Sequence, residues 1–389
     1  MPRKWYLLLL TLWSVHAFGQ NTLGNSPNTV DSIIMVEGAR GLLSGANVDN
    51  VRATEDGSGI TLTPGAIAGS IILKPQQTEF GFNEALPSWN GWAPKDGGFR
   101  VWMCPVISGT PAGWFEAGTW GKLNDEPTTR ITVLQDGIYN IDTLLLRRPA
   151  EAMQIRIDLV RGKPSGPAPV FRLMALSYTN STGDKSLFAR FGRPAANARL
   201  SPTSVEVPYR SQVVPNEKVI GRICSPCSVA MTLAAYGIQQ DTQDVANELY
   251  DRVSDAFGVW HRSVQSAAQH GVRGYVHRFR NWPDVHRELA QRHIICASIR
   301  FRPGEVEDPL AAHGKRKQGT LGHLVLIRGI NADGLIIVHD TNSKDYGVSS
   351  LWKPDQLARA WFDKGGVAYV FTGRRNADKA KSAQGASGT

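Results

Sequence analysis

The chain has 389 residues, of which 42% are hydrophobic and 20% are charged. This length and balance are typical of a globular protein with room for two domains. The formal net charge is +9, but Arg3 and Lys4 and a surplus of three positive charges after residue 372 leave only +4 for the body of the chain. Because no run interleaves basic and aromatic residues either, the sequence argues against a nucleic-acid partner.

Residues 1–19 have the three parts of a secretory signal peptide. Arg3 and Lys4 precede an apolar stretch at residues 5–15 and a small-residue cleavage site at residues 17–19. We therefore predict an exported protein, secreted or periplasmic. The apolar stretch is too short for a permanent membrane anchor, and no later segment has the length of a membrane-spanning helix.

The next part of the chain changes from irregular to strand-like. Residues 20–58 are polar and glycine-rich, which predicts a poorly structured segment. Residues 59–179 contain short strand-like pieces separated by Gly and Pro, which predicts an all-β sandwich domain. The pieces are Ser70–Lys74, Phe99–Cys104, Gln154–Leu159 and Val170–Ala175. Residues 180–204 are rich in Asn, Ser, Gly and Pro, a composition typical of a linker.

Five of the eleven tryptophans lie between Trp89 and Trp120. Sandwich cores contain such residues because tryptophan buries a large area, and sugar-binding platforms contain them as well. We favour the core interpretation. The alternative is that the sandwich binds carbohydrate or an envelope surface.

Cys224 lies at the predicted start of a helix. Ser225 has the residue type of an N-cap, Pro226 that of a first-turn position, and the apolar run that follows ends at Gly237. The helix dipole and the unpaired amides of the first turn favour negative charge. We therefore expect the Cys224 thiol to ionise readily and to act as a nucleophile.

His323 and Asp340 lie in two strand-like runs about a hundred residues downstream. If the loop at residues 330–333 joins antiparallel strands, Gly329 pairs with Gly334 and His323 lies directly opposite Asp340. In that register the carboxylate would fix the tautomer of the imidazole, as the third member of a nucleophile triad does.

Five motifs resemble the bacteriocin-processing cysteine peptidases, which cut after double-glycine leaders, and above all their secreted relatives in the papain-like clan. The motifs are Val207–Gln212, Cys224–Met231, Gly258–Trp260, Gly322–Leu326 and Val338–Asp340. The resemblance implies an α+β papain-like cysteine peptidase domain at residues 205–373, and residues 374–389 are predicted to form a disordered tail. It implies neither a metal nor an organic cofactor.

The resemblance also assigns roles. Cys224 is similar to the family nucleophile, His323 to its general base, and Asp340 to the group that orients the base. Gln212 is similar to the side chain of the oxyanion hole, a role that only the resemblance indicates. An amide of this kind can donate to an oxyanion without carrying charge. The tract at residues 82–120 resembles the β-rich domain that some secreted relatives carry in front.

Cys227 places a second thiol three residues after the first. This spacing is also that of a dithiol redox motif and of half a zinc site. Zinc is disfavoured because no second Cys pair or ligand-spaced His pair is near, and no βαβ pattern precedes the motif. We favour a buried packing residue, and a regulatory disulfide with Cys224 stays open. Cys104 and Cys296 are predicted to be buried thiols.

The leading hypothesis is a secreted cysteine peptidase or related amidohydrolase that acts on a peptide or cell-wall peptide. The alternatives are a catalytically idle protein that binds surfaces through its aromatic sandwich, and a dithiol redox protein using Cys224 and Cys227. His313, in the polar segment at residues 303–320, is an alternative base. Four other histidines are expected at the surface: His261, His270, His277 and His286.

Overall fold

The computed structural model describes residues 28–125, 131–192, 200–216, 218–314 and 317–373. The predicted signal peptide and the predicted disordered tail lie outside these residues. We call residues 28–192 the N-terminal region and residues 200–373 the C-terminal region.

The N-terminal region is β-rich. Its strands are β1 (Val30–Glu37), β2 (Asn47–Asp49), β3 (Val51–Ala53), β4 (Ile60–Leu62), β5 (Ala68–Ile72), β6 (Gln76–Trp92), β7 (Gly98–Ile107), β8 (Thr110–Pro111), β9 (Phe115–Gly121), β10 (Ile131–Leu134), β11 (Gly137–Asn140), β12 (Thr143–Val160) and β13 (Val170–Asn180). Two short helices, α1 (Gly38–Leu43) and α2 (Lys185–Phe191), and a 3₁₀ turn, Lys122–Asp125, accompany them. The thirteen strands described here form one antiparallel sheet.

Two long strands change partners along their length. β12 pairs with β11 and β6 in its first half and with β7 and β5 in its second half. β6 pairs with β12 as far as Ala85 and with β13 from Glu84 to Trp92. Pro87 is tolerated inside β6 because that strand has already left β12, so its missing N–H costs no hydrogen bond to that neighbour. These partner changes enclose a core that includes the fully buried Phe82 and Phe99.

Two predicted irregular segments contain regular structure. The prediction for residues 20–58 was wrong over the described part, because β1 pairs with β13 from Val30 to Glu37. Its partner strand is about 140 residues away in the chain, so local composition did not reveal it. Within the predicted linker at residues 180–204, Asp184 caps α2 by accepting two backbone N–H groups. The domain boundaries themselves stay a prediction.

The C-terminal region is α+β. Its helices are α3 (Cys224–Ala235), α4 (Thr242–Leu249), α5 (Trp260–Gln269), α6 (Trp282–Ala290) and α7 (Pro354–Trp361), with 3₁₀ turns at Ala311–His313 and Phe362–Lys364. Its strands are β14 (Thr203–Ser204), β15 (Arg273–Arg278), β16 (Ile294–Phe301), β17 (Thr320–Ile330), β18 (Ile336–Asp340), β19 (Ser350–Trp352) and β20 (Val367–Thr372). These strands form an antiparallel sheet in the order β15, β20, β16, β17, β18, β19, with β14 on β17. No helix among the described residues has the length and apolar character needed to cross a membrane.

Helix α3 is the centre of the C-terminal core. Its residues from Ser225 to Ala234 are all buried, and the Ser228 and Thr232 hydroxyls donate to carbonyls of the helix itself. Val229 and Leu233 share one hydrophobic cluster with Val325 and Ile327 of β17. This packing fixes the start of α3 next to the strand that carries His323.

The two regions meet along the edge strand of the C-terminal sheet. Ser88 Oγ of β6 accepts from the Val276 N–H at 3.0 Å, and the Asn90 side chain bonds both backbone groups of Gly274, at 2.8 and 3.0 Å. Side chains of β6 therefore satisfy the exposed backbone of β15, which would otherwise be an unpaired edge.

Helix α5 is buried at the same interface. Gln265 Nε2 donates to the Gly91 carbonyl at 2.9 Å, and Gln269 bonds both the N–H and the carbonyl of Ala93. His261 is fully buried, with its ring 4.5 Å from that of Trp89. The surface prediction for His261 was wrong, because the polar residues of α5 face the N-terminal region instead of water.

Candidate active site

Cys224 is the first residue of α3. The helix begins two residues earlier than the predicted cap implied, with Ile223 in the N-cap position and no side-chain cap. Ser225 does not cap the helix because its hydroxyl is buried and bonds those of Ser263, at 2.7 Å, and Tyr369, at 3.1 Å. The thiol nevertheless lies in the first turn, where unpaired amides favour a thiolate.

His323 and Asp340 form a buried pair. His323 Nε2 lies 2.8 Å from Asp340 Oδ1, and the side chains are 4% and 0% exposed. The predicted register was wrong: the turn takes more residues than assumed, so Gly329 faces Ile337 and not Gly334, and after a further shift between Ile327 and Gly329 Asp340 lies opposite Val325. His323 lies two residues from Val325 on the same face of the strand, so the pair is diagonal and still in contact.

Cys224 and His323 line the same cleft, where the imidazole and the thiol act on each other electrostatically. Since Nε2 is bonded to Asp340, Nδ1 is the ring nitrogen left for the thiol. Burial lowers the pKa of His323, but the charge and hydrogen bond of Asp340 and the contact with Cys224 raise it to about 9. Burial raises the pKa of the Cys224 thiol, but the hydrogen bond and charge of His323 bring it below its usual range. Both shifts favour a thiolate–imidazolium pair.

Asp340 is held through its backbone and its side chain. The Tyr209 hydroxyl donates to the Asp340 carbonyl at 2.8 Å, and the Asn342 N–H donates to Asp340 Oδ1 at 3.1 Å. The Asp340 N–H donates to the Gly347 carbonyl at 2.8 Å. A Cβ atom at Gly347 would lie 1.9 Å from the Asp340 carbonyl oxygen, so this close approach requires glycine.

Gln212 is linked to the loop that follows Asp340. Its backbone N–H donates to the Thr341 carbonyl at 2.9 Å, and its side-chain Nε2 donates to Asn342 Oδ1. The Gln212 side-chain oxygen is buried and has no hydrogen-bond partner among the described residues. Gln212 thus reaches the triad through Asn342. Sequence reasoning missed Asn342, and its place two residues after Asp340 is the only signal that pointed to it.

Two other histidines are excluded as the base by their contacts. His339 Nε2 bonds the Val207 carbonyl at 2.9 Å and its Nδ1 accepts from the Ser349 N–H at 3.1 Å. Burial lowers the pKa of His339 to about 4, so this ring stays neutral. His313 is exposed and stacks on Tyr346, with ring centroids 3.8 Å apart.

A cleft of about 420 Å³ opens beside the thiol. Cys224, His323, Phe257, Trp260 and Leu321 line it. Leu321, immediately before Gly322, is 94% exposed and forms an apolar rim next to the imidazole. A concave, partly apolar site next to a nucleophile suits a peptide segment.

The remaining thiols are set apart from this chemistry. Cys104, Cys227 and Cys296 are buried, and all four cysteines are free. Burial raises the pKa of Cys227 to about 12, so this residue stays a neutral thiol. These observations favour the packing interpretation of Cys227. Within the described ranges, no group of three or more His, Cys, Asp or Glu residues could hold a metal ion.

The tryptophan cluster does not form a single exposed platform. Trp89 and Trp120 are 0% and 3% exposed, and Trp120 Nε1 donates to Gln269 of α5 at 3.1 Å. Trp114 is 40% exposed. Part of the cluster therefore belongs to the interface, and carbohydrate binding stays a prediction.

Comparisons with known proteins agree with this architecture. Residues 204–369 match the Peptidase_C39 like family, and residues 32–179 match the Peptidase C39 N-terminal domain. The chain is a relative of the C39-type peptidases. The predicted resemblance to bacteriocin-processing peptidases is confirmed at this level, and the family points to a cysteine peptidase with peptide substrates.

The other comparisons concern curated proteins and solved structures. No curated protein matches the chain. Two solved structures, of the Gt and Gx strains of infectious bursal disease virus, are 10% and 11% identical, with TM-scores of 0.24 and 0.26. Each match covers 40% of this chain and 33% of the viral chain, so the chain spans about a third of the length of these structures.

Proposed function

We propose that this C39-type relative is an exported cysteine peptidase, or a related amidohydrolase, that hydrolyses peptide bonds in the Cys224 cleft. The observation that carries the proposal is the buried His323–Asp340 pair, whose imidazole lines the same cleft as the Cys224 thiol and lowers its pKa. A papain-like fold of the C-terminal region, preceded by a β-sandwich, is the architecture that accompanies this proposal.

The reaction begins with the thiolate of Cys224 attacking the carbonyl carbon, while the π electrons of the carbonyl move to its oxygen. Two donors are proposed for the oxyanion: the backbone N–H of Cys224 and the Gln212 side-chain amide. An amide nitrogen carries two N–H groups. One of them donates to Asn342, and the other is assigned to the oxyanion.

His323 moves the protons. As an imidazolium it gives its proton to the leaving amine, which leaves a thioester on Cys224. As the neutral imidazole it then takes a proton from water, whose oxygen attacks the thioester; the C–S bond breaks, the acid leaves, and the thiolate–imidazolium pair is restored. Asp340 holds the ring through Nε2 and stabilises its charged form throughout.

The proposed substrates are peptides or cell-wall peptides met outside the cytoplasm, because the sequence predicts a signal peptide. Double-glycine specificity is not carried over, since the leader peptidases that show it work inside the cell. The N-terminal region covers β15 and α5. We therefore do not assign it as a separate docking module.

A peptide-library cleavage profile of the mature protein tests the proposal, with Cys224→Ala as the inactive control. We expect iodoacetamide to label Cys224 first, because the other three cysteines are buried, and labelling should remove all cleavage. A mature protein that is labelled at Cys224 yet cleaves no peptide or amide in the library would contradict the proposal.

A further inference from the structure

The N-terminal region reaches the proposed active site at Asp142, the residue just before β12. Asp142 Oδ2 accepts from the backbone N–H of Trp260 at 3.2 Å. Trp260 is the first residue of α5 and lines the cleft together with Cys224. The N-cap of α5, Val259, has no side-chain hydrogen bond to the helix. A carboxylate more than a hundred residues away in the chain therefore supplies the cap.

The turn that presents Asp142 is strained. Ile141 has a φ of +59°, a left-handed conformation that β-branched residues rarely adopt. The Asp142 N–H donates to the Asn140 carbonyl at 2.7 Å, which closes a γ-turn around Ile141. Strain of this kind persists only where the surroundings impose it, and it concentrates at functional sites. Here its result is a carboxylate aimed at the end of α5.

Helix α5 also contacts the nucleophile helix. Ser263, one turn after Trp260, bonds the hydroxyl of Ser225 at 2.7 Å, and Ser225 directly follows Cys224. The same Ser225 hydroxyl lies 3.1 Å from that of Tyr369. A displacement of α5 would therefore move a wall of the cleft and loosen a contact beside the nucleophile.

We propose that Asp142 is a positioning residue, whose carboxylate holds Trp260 against the cleft and so shapes the substrate-binding wall beside Cys224. The inference rests on the proposed function, and it gives the N-terminal region a direct part in that function. Asp142 contacts no reacting atom and acts through α5.

The surroundings of Asp142 make ionisation of its carboxyl group energetically unfavourable. It faces the Trp260 N–H of α5, the Thr143 hydroxyl of β12, Arg278 of β15 and Tyr369 of β20. Burial raises the pKa of Asp142 to about 6, against the opposing effect of its hydrogen bonds and of Arg278. A carboxyl whose pKa is raised on folding reduces stability as pH rises from its ordinary value of 3.8 through about 6. Asp142→Asn should therefore not lower the melting temperature at pH 7.5.

The test uses a peptidyl chloromethyl ketone on the mature full-length protein, because this probe reports cleft binding without turnover. The Cys224 thiolate displaces chloride and forms a thioether. We expect the ketone concentration for half-maximal inactivation to rise about fivefold in Asp142→Asn and about tenfold in Asp142→Ala, with the maximal rate nearly unchanged. In the wild type this concentration should rise as pH falls through about 6, whereas in Asp142→Asn it should stay flat.

Asp31→Asn is the matched control. Asp31 is a second carboxylate at the interface and bonds Arg280 at 2.6 Å. Its replacement should lower the melting temperature and leave the half-maximal concentration unchanged. In a Trp260→Ala background, Asp142→Asn should add no further effect if it acts through Trp260.

Three results would overturn the inference: an unchanged half-maximal concentration in both Asp142 variants, an equal effect of Asp31→Asn, or full additivity with Trp260→Ala. If Asp142→Ala fails to fold, the pH profile of Asp142→Asn decides. If the ketone saturates and labels Cys224 while no peptide is hydrolysed, the peptidase proposal fails and the role of Asp142 in shaping the cleft is still measured.

Discussion

Two buried ion pairs lie in different parts of this molecule. His323 and Asp340 are 2.8 Å apart, and Arg278 and Glu84 are 2.9 Å apart, with all four side chains at most 4% exposed. The first pair borders a cleft and contacts the Cys224 thiol. The second pair joins β15 to β6. The Ser181 hydroxyl donates to Glu84, and Arg278 donates to the Gly365 carbonyl. Burial and pairing are thus common to both, and only contact with a nucleophile in an open cleft distinguishes the candidate site.

The largest effect is expected at the pair beside the thiol. Asp340→Asn removes the charge that raises the pKa of His323 and should lower kcat/KM by about a thousandfold, because the imidazolium loses its stabilising partner. Circular dichroism should show an unchanged fold. Full activity of Asp340→Asn toward the peptide that the wild type cleaves best would contradict the role of Asp340 at the site.

The pair between the two regions should affect stability and not chemistry. Arg278→Met strands the Glu84 carboxylate in the interior and should cost about 3–5 kcal/mol in the free energy of unfolding. The double variant Glu84→Leu, Arg278→Met should recover much of this loss, because no unpaired charge is left. Urea titration measures both.

Activity per folded molecule separates the two roles. In the double variant kcat should stay within about twofold of the wild type, since neither residue lines the cleft, whereas loss of the Arg278 charge near Asp142 should act on KM. A folded double variant that cleaves no peptide would show that the pair between the regions also serves the site.

The local features of the site were predictable from the sequence. Cap-type residues after Cys224 and an apolar run marked the helix, and two strand-like runs marked the hairpin with His323 and Asp340. The register was not predictable by counting, because the turn takes more residues than assumed, so that Gly329 faces Ile337, and a shift between Ile327 and Gly329 follows. His323 and Asp340 are in contact despite this error in the predicted register, because diagonal neighbours on one face of a sheet are within reach.

The interface was not predictable for a different reason. His261 and Arg262 are polar residues on a helix, which is typical of surface positions, yet they are 0% and 2% exposed. They are buried because Trp89 and Trp120 of the distant N-terminal region cover α5, and Arg262 also donates to the Leu249 carbonyl within the C-terminal region. The hydrogen bond from Gln212 to Asn342 was not predictable either, because it forms only where two loops that are distant in the chain converge. Single-sequence patterns report local periodicity and carry no information on such convergence.

The pH dependence of cleavage tests whether His323 acts as a charged imidazolium. The pKa of His323 is raised from 6.5 to about 9, so the imidazolium is fully present below 6.5 and is lost as pH rises through about 9. We expect kcat/KM to fall above pH 9 by about tenfold per unit, as a single ionisation requires. The lowered pKa of Cys224 keeps the thiolate available below its usual range. A profile still rising above pH 10 would show that the thiolate forms without His323.

The smallest effect is expected for substitution of Cys227. This buried thiol is compared with Cys224, the thiol that borders the cleft. Cys224 borders the cleft and has a lowered pKa, whereas Cys227 is buried beside Ile223 and Phe257, and burial raises its pKa to about 12. A thiol that stays protonated attacks no disulfide, so Cys227→Ser should keep activity within about twofold of the wild type, with or without reductant. The measurement is peptide cleavage by protein isolated in air without reductant, with free thiols counted by alkylation. If the wild type loses activity and two free thiols together while Cys227→Ser keeps its activity, the two cysteines form a regulatory disulfide, and burial does not protect the second one.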